Sequence, residues 1–225
     1  MMFLSVSILI ALICTTLCSS KKIRVTCIGD SITQGGGCVA QSYVEVLQNI
    51  LGGDYEVINA GLSSQTMLKK GICNDYSPCS YWNSDTWQSA LDSQPDIVTI
   101  MLGTNDAKIM NWEGIQQNLG DYYALDYVDM IRNVRILSTR PKVYVMIPPP
   151  LFEPYPFDMN STIINEIFPV LIRDVNTVMD TQLVDIYSAL ASQPDSSALT
   201  CDGCHPTDLA NQIIAETIAS AITTK

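Results

Sequence analysis

Residues 96–106 read DIVTIMLGTND. An apolar run of this length, rich in Ile, Val and Thr, reads as a strand over 96–103, closed by Gly103. The polar residues that follow, Thr104-Asn105-Asp106, are turn formers. The pattern recurs in both directions along the chain. IRVTCIG (23–29) and YEVINAG (55–61) are short apolar runs that also end in glycine. KVYVMIPPP (142–150) is a fourth strand, stopped by three prolines, and LVDIY (183–187) is a short fifth. Between them the spacing of apolar residues turns helical. Helices are predicted over 39–51, over 85–91 with Asp85 as cap, over 122–138, over 161–180 with Pro169 kinking or splitting the segment, and from Thr207 to Thr223 with Pro206 near the first turn. Residues 71–84 read as a loop. Strands and helices that alternate in this way predict a parallel sheet covered on both faces, an α/β fold of three layers. In such sheets, functional groups collect at the carboxyl ends of the strands. Here those ends are Gly29-Asp30-Ser31, Asn59-Ala60-Gly61 and Gly103-Thr104-Asn105-Asp106.

The chain has 225 residues. Its first twenty, an apolar run closing in small residues before Lys21-Lys22, have the shape of a secretory signal. Retention as an N-terminal anchor is the alternative. Residues 21–225 then suit one domain. Twelve basic residues against twenty-three acidic ones give a formal charge of −11. That balance argues against nucleic acid and against docking on an anionic membrane. Once the leader is removed, no stable membrane insertion is expected.

Two of the eight cysteines, Cys14 and Cys18, fall in the leader. The other six, in an oxidising compartment, suggest disulfides among fifteen connectivities. Cys73 and Cys79 bracket a short loop and are one candidate pair; Cys201 and Cys204, which straddle Asp202, are another. Cys27 is a buried free thiol or a partner for Cys38. Asn160-Ser161-Thr162 is a candidate glycosylation acceptor.

Ser31 in GDSIT (29–33) stands where the first strand hands over to loop or helix. It is either a helix cap or a hydroxyl facing a cleft. Gly61 is either a turn glycine or an unshielded N–H. Asn105 either bonds its own backbone or offers its amide. Together they fit acyl transfer, which needs a nucleophile, a base, and donors aimed at a developing oxyanion. His205 is the only histidine, so it is the only imidazole base available. It lies in CDGCHP (201–206), a stretch that also spells C-x-x-C-H, the pattern of covalent haem attachment. A haem there would leave GDSIT and GTND without a role, and a zinc site, with only one histidine in the chain, would need further deprotonated cysteine ligands close in space. A bond between Cys201 and Cys204 would stiffen the turn that carries Asp202 and His205, although pairing with other cysteines is open.

On the residues Ser31 in GDSIT, Gly61 in NAGLSS, Asn105 in LGTND, and Asp202 and His205 in DGCHP, the chain resembles the SGNH, or GDSL-type, esterase and acylhydrolase superfamily. The matches come in the family's order across residues 28–206. The resemblance implies a flavodoxin-like α/β/α sandwich with a five-stranded parallel sheet, and no metal or organic cofactor. It further implies Ser31, His205 and Asp202 as a catalytic triad, with Ser31, Gly61 and Asn105 as oxyanion donors. The expected substrate is a small-molecule or carbohydrate ester, with a short acyl group such as acetyl on a polysaccharide. A thioesterase or lysophospholipase is the alternative enzyme, and a catalytically silent secreted binding module the alternative without turnover. Tyr76, Tyr81, Trp82, Trp87 and Trp112 are candidates to stack on sugar rings or to pack the core.

Overall fold

The computed structural model describes residues 21–37, 39–73, 75, 77–112 and 119–224. The expected leader, Cys38 and Tyr76 lie outside them.

Five strands form one parallel sheet: β1 (Ile23–Gly29), β2 (Tyr55–Gly61), β3 (Ile97–Met101), β4 (Lys142–Ile147) and β5 (Gln182–Asp185). Their spatial order is β2-β1-β3-β4-β5. The chain leaves β1 toward one edge and returns to build β3 on its other side. A crevice therefore opens between the carboxyl ends of β1 and β3. Register aligns the final glycine of β1, Gly29, with Gly61 and with Met101, so three strands end at one rim.

Period-two alternation sends side chains to two cores. On one face, Val143, Val145 and Ile147 of β4 pack with Tyr123, Tyr127 and Phe168. On the other, Tyr144 and Met146 pack with Tyr43, Leu47 and Ile214. Eight α-helices are seen among the described residues: α1 (Ser31–Gln34), α2 (Tyr43–Leu51), α3 (Asp85–Asp92), α4 (Ile109–Trp112), α5 (Leu119–Arg135), α6 (Phe168–Met179), α7 (Ile186–Ala191) and α8 (Asp208–Thr223).

The differences from the sequence expectations lie at element ends and have local causes. The helix predicted from 39 starts at Tyr43, because Ser42 and Glu45 form a reciprocal capping box. Ser84, not Asp85, caps α3, its hydroxyl accepting from the Trp87 N–H. The predicted fifth strand ends at Asp185, whose carboxylate accepts from the Ser188 N–H and starts α7, so Ile186 and Tyr187 are helical. The segment 161–180 is split as Pro169 requires: a wide π-type turn over Ile163–Ile167 runs into α6, with the proline in the first turn of α6. Among the described residues, no helix is long and apolar enough to cross a membrane.

Candidate active site

The turn after β1 separates two jobs that the sequence leaves ambiguous. Asp30 is the cap of α1, its Oδ1 accepting from the Ile32 N–H at 3.0 Å. Ser31, as the first residue of α1, is thereby freed, and its Oγ lies 3.0 Å from His205 Nε2. The opposite ring nitrogen of His205, Nδ1, lies 2.6 Å from Asp202 Oδ2. The other oxygen of Asp202, Oδ1, accepts from the backbone N–H groups of His205 (2.7 Å) and Cys204 (2.9 Å). Partial burial works to raise the Asp202 pKa. The hydrogen bonds from the imidazole and the two N–H groups outweigh it and hold the carboxyl below its usual range. An ionised Asp202 accepts a hydrogen bond from Nδ1–H, which keeps the proton on Nδ1 and leaves the Nε2 lone pair toward Ser31.

Three glycines after GDSIT shape this contact, a signal in the sequence left unread above. The N–H groups of Gly35 and Gly36 donate to the Ser31 carbonyl at 3.0 and 2.7 Å. Gly37, at φ 100°, packs its backbone against the His205 side chain.

Asn105 is buried at the end of β3. Its Nδ2 donates to the Gln65 carbonyl at 3.2 Å and lies 3.5 Å from Asp30 Oδ2, beside Ser31. Its own carbonyl accepts from the Asn111 side chain at 3.0 Å. Gly61 occupies a different place from the one expected. Its N–H donates to Asn59 Oδ1 at 2.9 Å, so it is not free to meet an oxyanion. A β-carbon there would collide with the backbone of Thr33 and Gln34, so the glycine serves close approach of α1 to β2. Three residues on, Ser64 holds a left-handed backbone (φ 66°), and its N–H makes no hydrogen bond among the described residues. Ser64 precedes Gln65, the residue whose carbonyl receives the Asn105 amide.

Beneath the site two carboxyls are fully enclosed. Burial pushes Asp30 up to about 6 and Asp106 up to about 7. Asp106 accepts from the N–H groups of Met67 (2.9 Å) and Leu68 (2.8 Å), fixing the segment after β2 against the turn after β3.

Cys73 and Cys79 are joined in a disulfide. Cys201 is also disulfide-bonded, but not to Cys204, which is a free buried thiol. The expected staple across Asp202 is absent because the two side chains diverge: Cys201 is exposed and Cys204 enters the core. Cys27 is a free thiol as well. With Cys201 oxidised and His205 held between Asp202 and Ser31, the C-x-x-C-H pattern keeps only one of the two free thiols that haem attachment uses.

The candidate stacking aromatics Tyr81 and Trp87 are buried, and Trp82 packs on Trp87 at 5.4 Å between centroids. Trp112 packs edge-on to Phe168. The aromatic ring found beside the imidazole is Phe157, with its centroid 5.7 Å from that of His205. Nothing in the spacing of LFEPYPFDM (151–159) flagged it. Asn160, the candidate glycosylation acceptor, is half-buried, and its side chain accepts from the Thr162 N–H at 3.0 Å.

Residues 27–213 match the model of the GDSL-like lipase/acylhydrolase family. A curated acetylxylan esterase of Xylanibacter ruminicola is 34% identical over 221 residues, covering 89% of this chain and 43% of that protein. The chain thus spans less than half of that relative's length. Among solved structures, a carbohydrate acetylesterase from Sinorhizobium meliloti superposes with a TM-score of 0.71 at 24% identity, over 89% of this chain and 98% of that one. An acetyl xylan esterase, AlAXEase, superposes at 0.67 and 22% identity, over 89% of this chain and all of that one. At these identities the two superpositions speak for the fold.

Proposed function

The chain belongs to the GDSL-like lipase/acylhydrolase family, a family of ester hydrolases, and from that premise we propose that it is a serine esterase that removes short acyl groups, acetyl first among them, from carbohydrate esters. The observation that carries the reading is the unbroken chain Asp202–His205–Ser31, at 2.6 and 3.0 Å. The acetyl and carbohydrate preference is supported by the acetylxylan esterase relative.

In this reading Ser31 Oγ attacks the ester carbonyl while His205 Nε2 takes its proton. Asp202 orients the imidazole and stabilises the imidazolium. The oxyanion is met by the Ser31 N–H, which has no partner within α1, by the Asn105 amide, and by the free N–H of Ser64. His205 then protonates the departing alcohol. Water, activated by the same imidazole, releases the acid from the acyl-enzyme. The reading also takes residues 21–225 as the hydrolase domain, exported behind the leader of residues 1–20 and open to glycosylation at Asn160.

A fluorophosphonate probe, which esterifies activated serines, tests the proposal. Peptide mapping is expected to find the label on Ser31. Among p-nitrophenyl esters of rising chain length the acetate should be turned over best, and acetylated xylan should release acetate. A labelled serine elsewhere, or none, refutes the mechanism.

A further inference from the structure

Resting on the esterase reading above, we infer that the loop between β4 and the turn at 163 carries the subsite for the alcohol half of the ester, and that its occupant is a sugar ring stacked on Phe157. The loop is tied to the candidate site at both ends. At one end the Phe152 N–H donates to the Gly203 carbonyl at 2.8 Å, inside the turn that bears Asp202 and His205. At the other, the Ile109 N–H donates to the Asp158 carbonyl (3.0 Å) and the Asn160 N–H to the Ala107 carbonyl (2.9 Å), just after Asn105. The segment between these ties therefore joins the base turn to the oxyanion turn.

Within it Phe157 meets the imidazole edge-on, at 75° between planes. Yet its side chain is not spent on the core, for Phe157 is 45% exposed and Tyr155 48%. Phe157 and Asp158 both hold left-handed backbones, at φ 60° and 54°. That conformation is unfavourable for a bulky residue, and where it persists the surroundings enforce it. A strained, half-exposed aromatic beside the general base is poorly explained by packing alone.

Geometry selects the half of the substrate. The leaving oxygen must come within hydrogen-bond reach of His205 Nε2, about 3 Å, to be protonated. The acyl carbonyl points the other way, to the donors at Ser31, Ser64 and Asn105. The group attached to the leaving oxygen then extends on the imidazole side, where Phe157 lies. Charge selects the chemistry. A formal charge of −11 and the exposed Asp158 disfavour an anionic alcohol such as a phosphorylated one. A pyranose is neutral, offers an apolar C–H face to an aromatic ring, and has hydroxyls for Tyr155 and Asp158 to bind.

The test compares wild type, Phe157→Leu and Phe157→Trp on an acetylated xylo-oligosaccharide and on ethyl acetate. Leu keeps apolar bulk without a flat face, and Trp enlarges the face. The ratio of kcat/KM for the sugar ester to that for ethyl acetate should fall about tenfold in Phe157→Leu and hold or rise in Phe157→Trp. A ratio within twofold of wild type in Phe157→Leu, or one that falls equally in both variants, overturns the subsite. If neither ester is turned over by wild type, the hydrolase reading fails instead. Binding then decides the subsite: xylo-oligosaccharide titrated into Ser31→Ala should bind more tightly than into Ser31→Ala/Phe157→Leu. Equal affinities, or no binding, would overturn it.

Discussion

The backbone of Gly37 lies directly against the side chain of His205. A β-carbon added at Gly37 would come 2.5 Å from the His205 Cβ and 3.2 Å from its Cγ. The same residue sits at φ 100°, a region L side chains rarely adopt. Gly37→Ala should therefore push the imidazole off its 3.0 Å contact with Ser31. We expect kcat for p-nitrophenyl acetate to fall by about one to two powers of ten, as for small misplacements of a catalytic group. Fluorophosphonate labelling of Ser31 should slow in parallel. Unchanged labelling would show that the glycine is tolerant and that His205 is held from elsewhere.

The three members of the Asp202–His205–Ser31 chain should fail together. Ser31→Ala and His205→Ala are each expected to lower kcat by several powers of ten, and the double variant by little more than either alone. Asp202→Asn keeps the shape of the turn but offers Nδ1 a donor or a neutral acceptor in place of a carboxylate. It should cost about four powers of ten at neutral pH. Steady-state rates on one ester, with circular dichroism to confirm folding, give the answer. Multiplicative losses in the double variant would mean that Ser31 and His205 do not act as one unit.

Much of this arrangement is legible in the sequence, because the strands are. Short apolar, β-branched runs mark all five, terminal glycines mark three of them, and a parallel sheet brings their ends to one rim whatever the helices do. That suffices to bring Ser31 and Asn105 to one rim of the sheet, whereas His205, in a turn well past β5, is the only available imidazole by composition and is brought there by the structure. What the sequence conceals is which polar group spends its hydrogen bond where. Gly61 reads as a free N–H, yet Asn59, two residues earlier, folds back and takes it. Ser64 carries no mark of a left-handed backbone, since serine has no preference that would announce one. Cys201 and Cys204 look paired because they are three apart, and only the direction of each side chain separates them. Phe157 is invisible for the same reason: exposure beside the imidazole is set by ties to Gly203 and Ala107, far away in the chain.

Stability should depend on pH through the two enclosed carboxyls. Asp30 and Asp106, raised by burial to about 6 and about 7, keep protons in the folded chain that the unfolded chain has released from about pH 4 upward. A raised carboxyl pKa means stability falls as pH rises through that window and levels off above it. The carboxyls held low, such as Asp96 and Asp202, act below the window, where falling pH removes their contribution. Asp30→Asn can still accept from the Ile32 N–H and keep the cap. Its Tm should fall less than that of wild type between pH 4.5 and 7.5 at constant ionic strength. Parallel curves for the two proteins would show that Asp30 does not titrate in this range.

Asn111 should act through Asn105 without touching substrate. Its amide is fully buried and makes three hydrogen bonds: Oδ1 accepts from the Ile72 N–H (2.8 Å), and Nδ2 donates to the Ile72 carbonyl (2.9 Å) and the Asn105 carbonyl (3.0 Å). It thus clamps the segment leading into the Cys73–Cys79 loop to the turn whose side chain is proposed to meet the oxyanion. Asn111→Ala leaves the N–H and the carbonyl of half-buried Ile72 without partners, at about 1–3 kcal/mol each before any water enters, while the Asn105 carbonyl keeps the Lys108 N–H at 3.3 Å, so some loss of Tm is expected from structure alone. The distinguishing readout is kinetic. A positioning role predicts that kcat falls about tenfold while KM moves little, because the donor is most needed in the transition state. Asn105→Ala, the loss of one oxyanion donor, should cost about a hundred- to a thousandfold in kcat. Once Asn105 is gone, Asn111→Ala should have little further effect on kcat, a coupling that a double-mutant cycle measures. Additive losses in that cycle, or a rise in KM with kcat intact, would make Asn111 a structural clamp and nothing more.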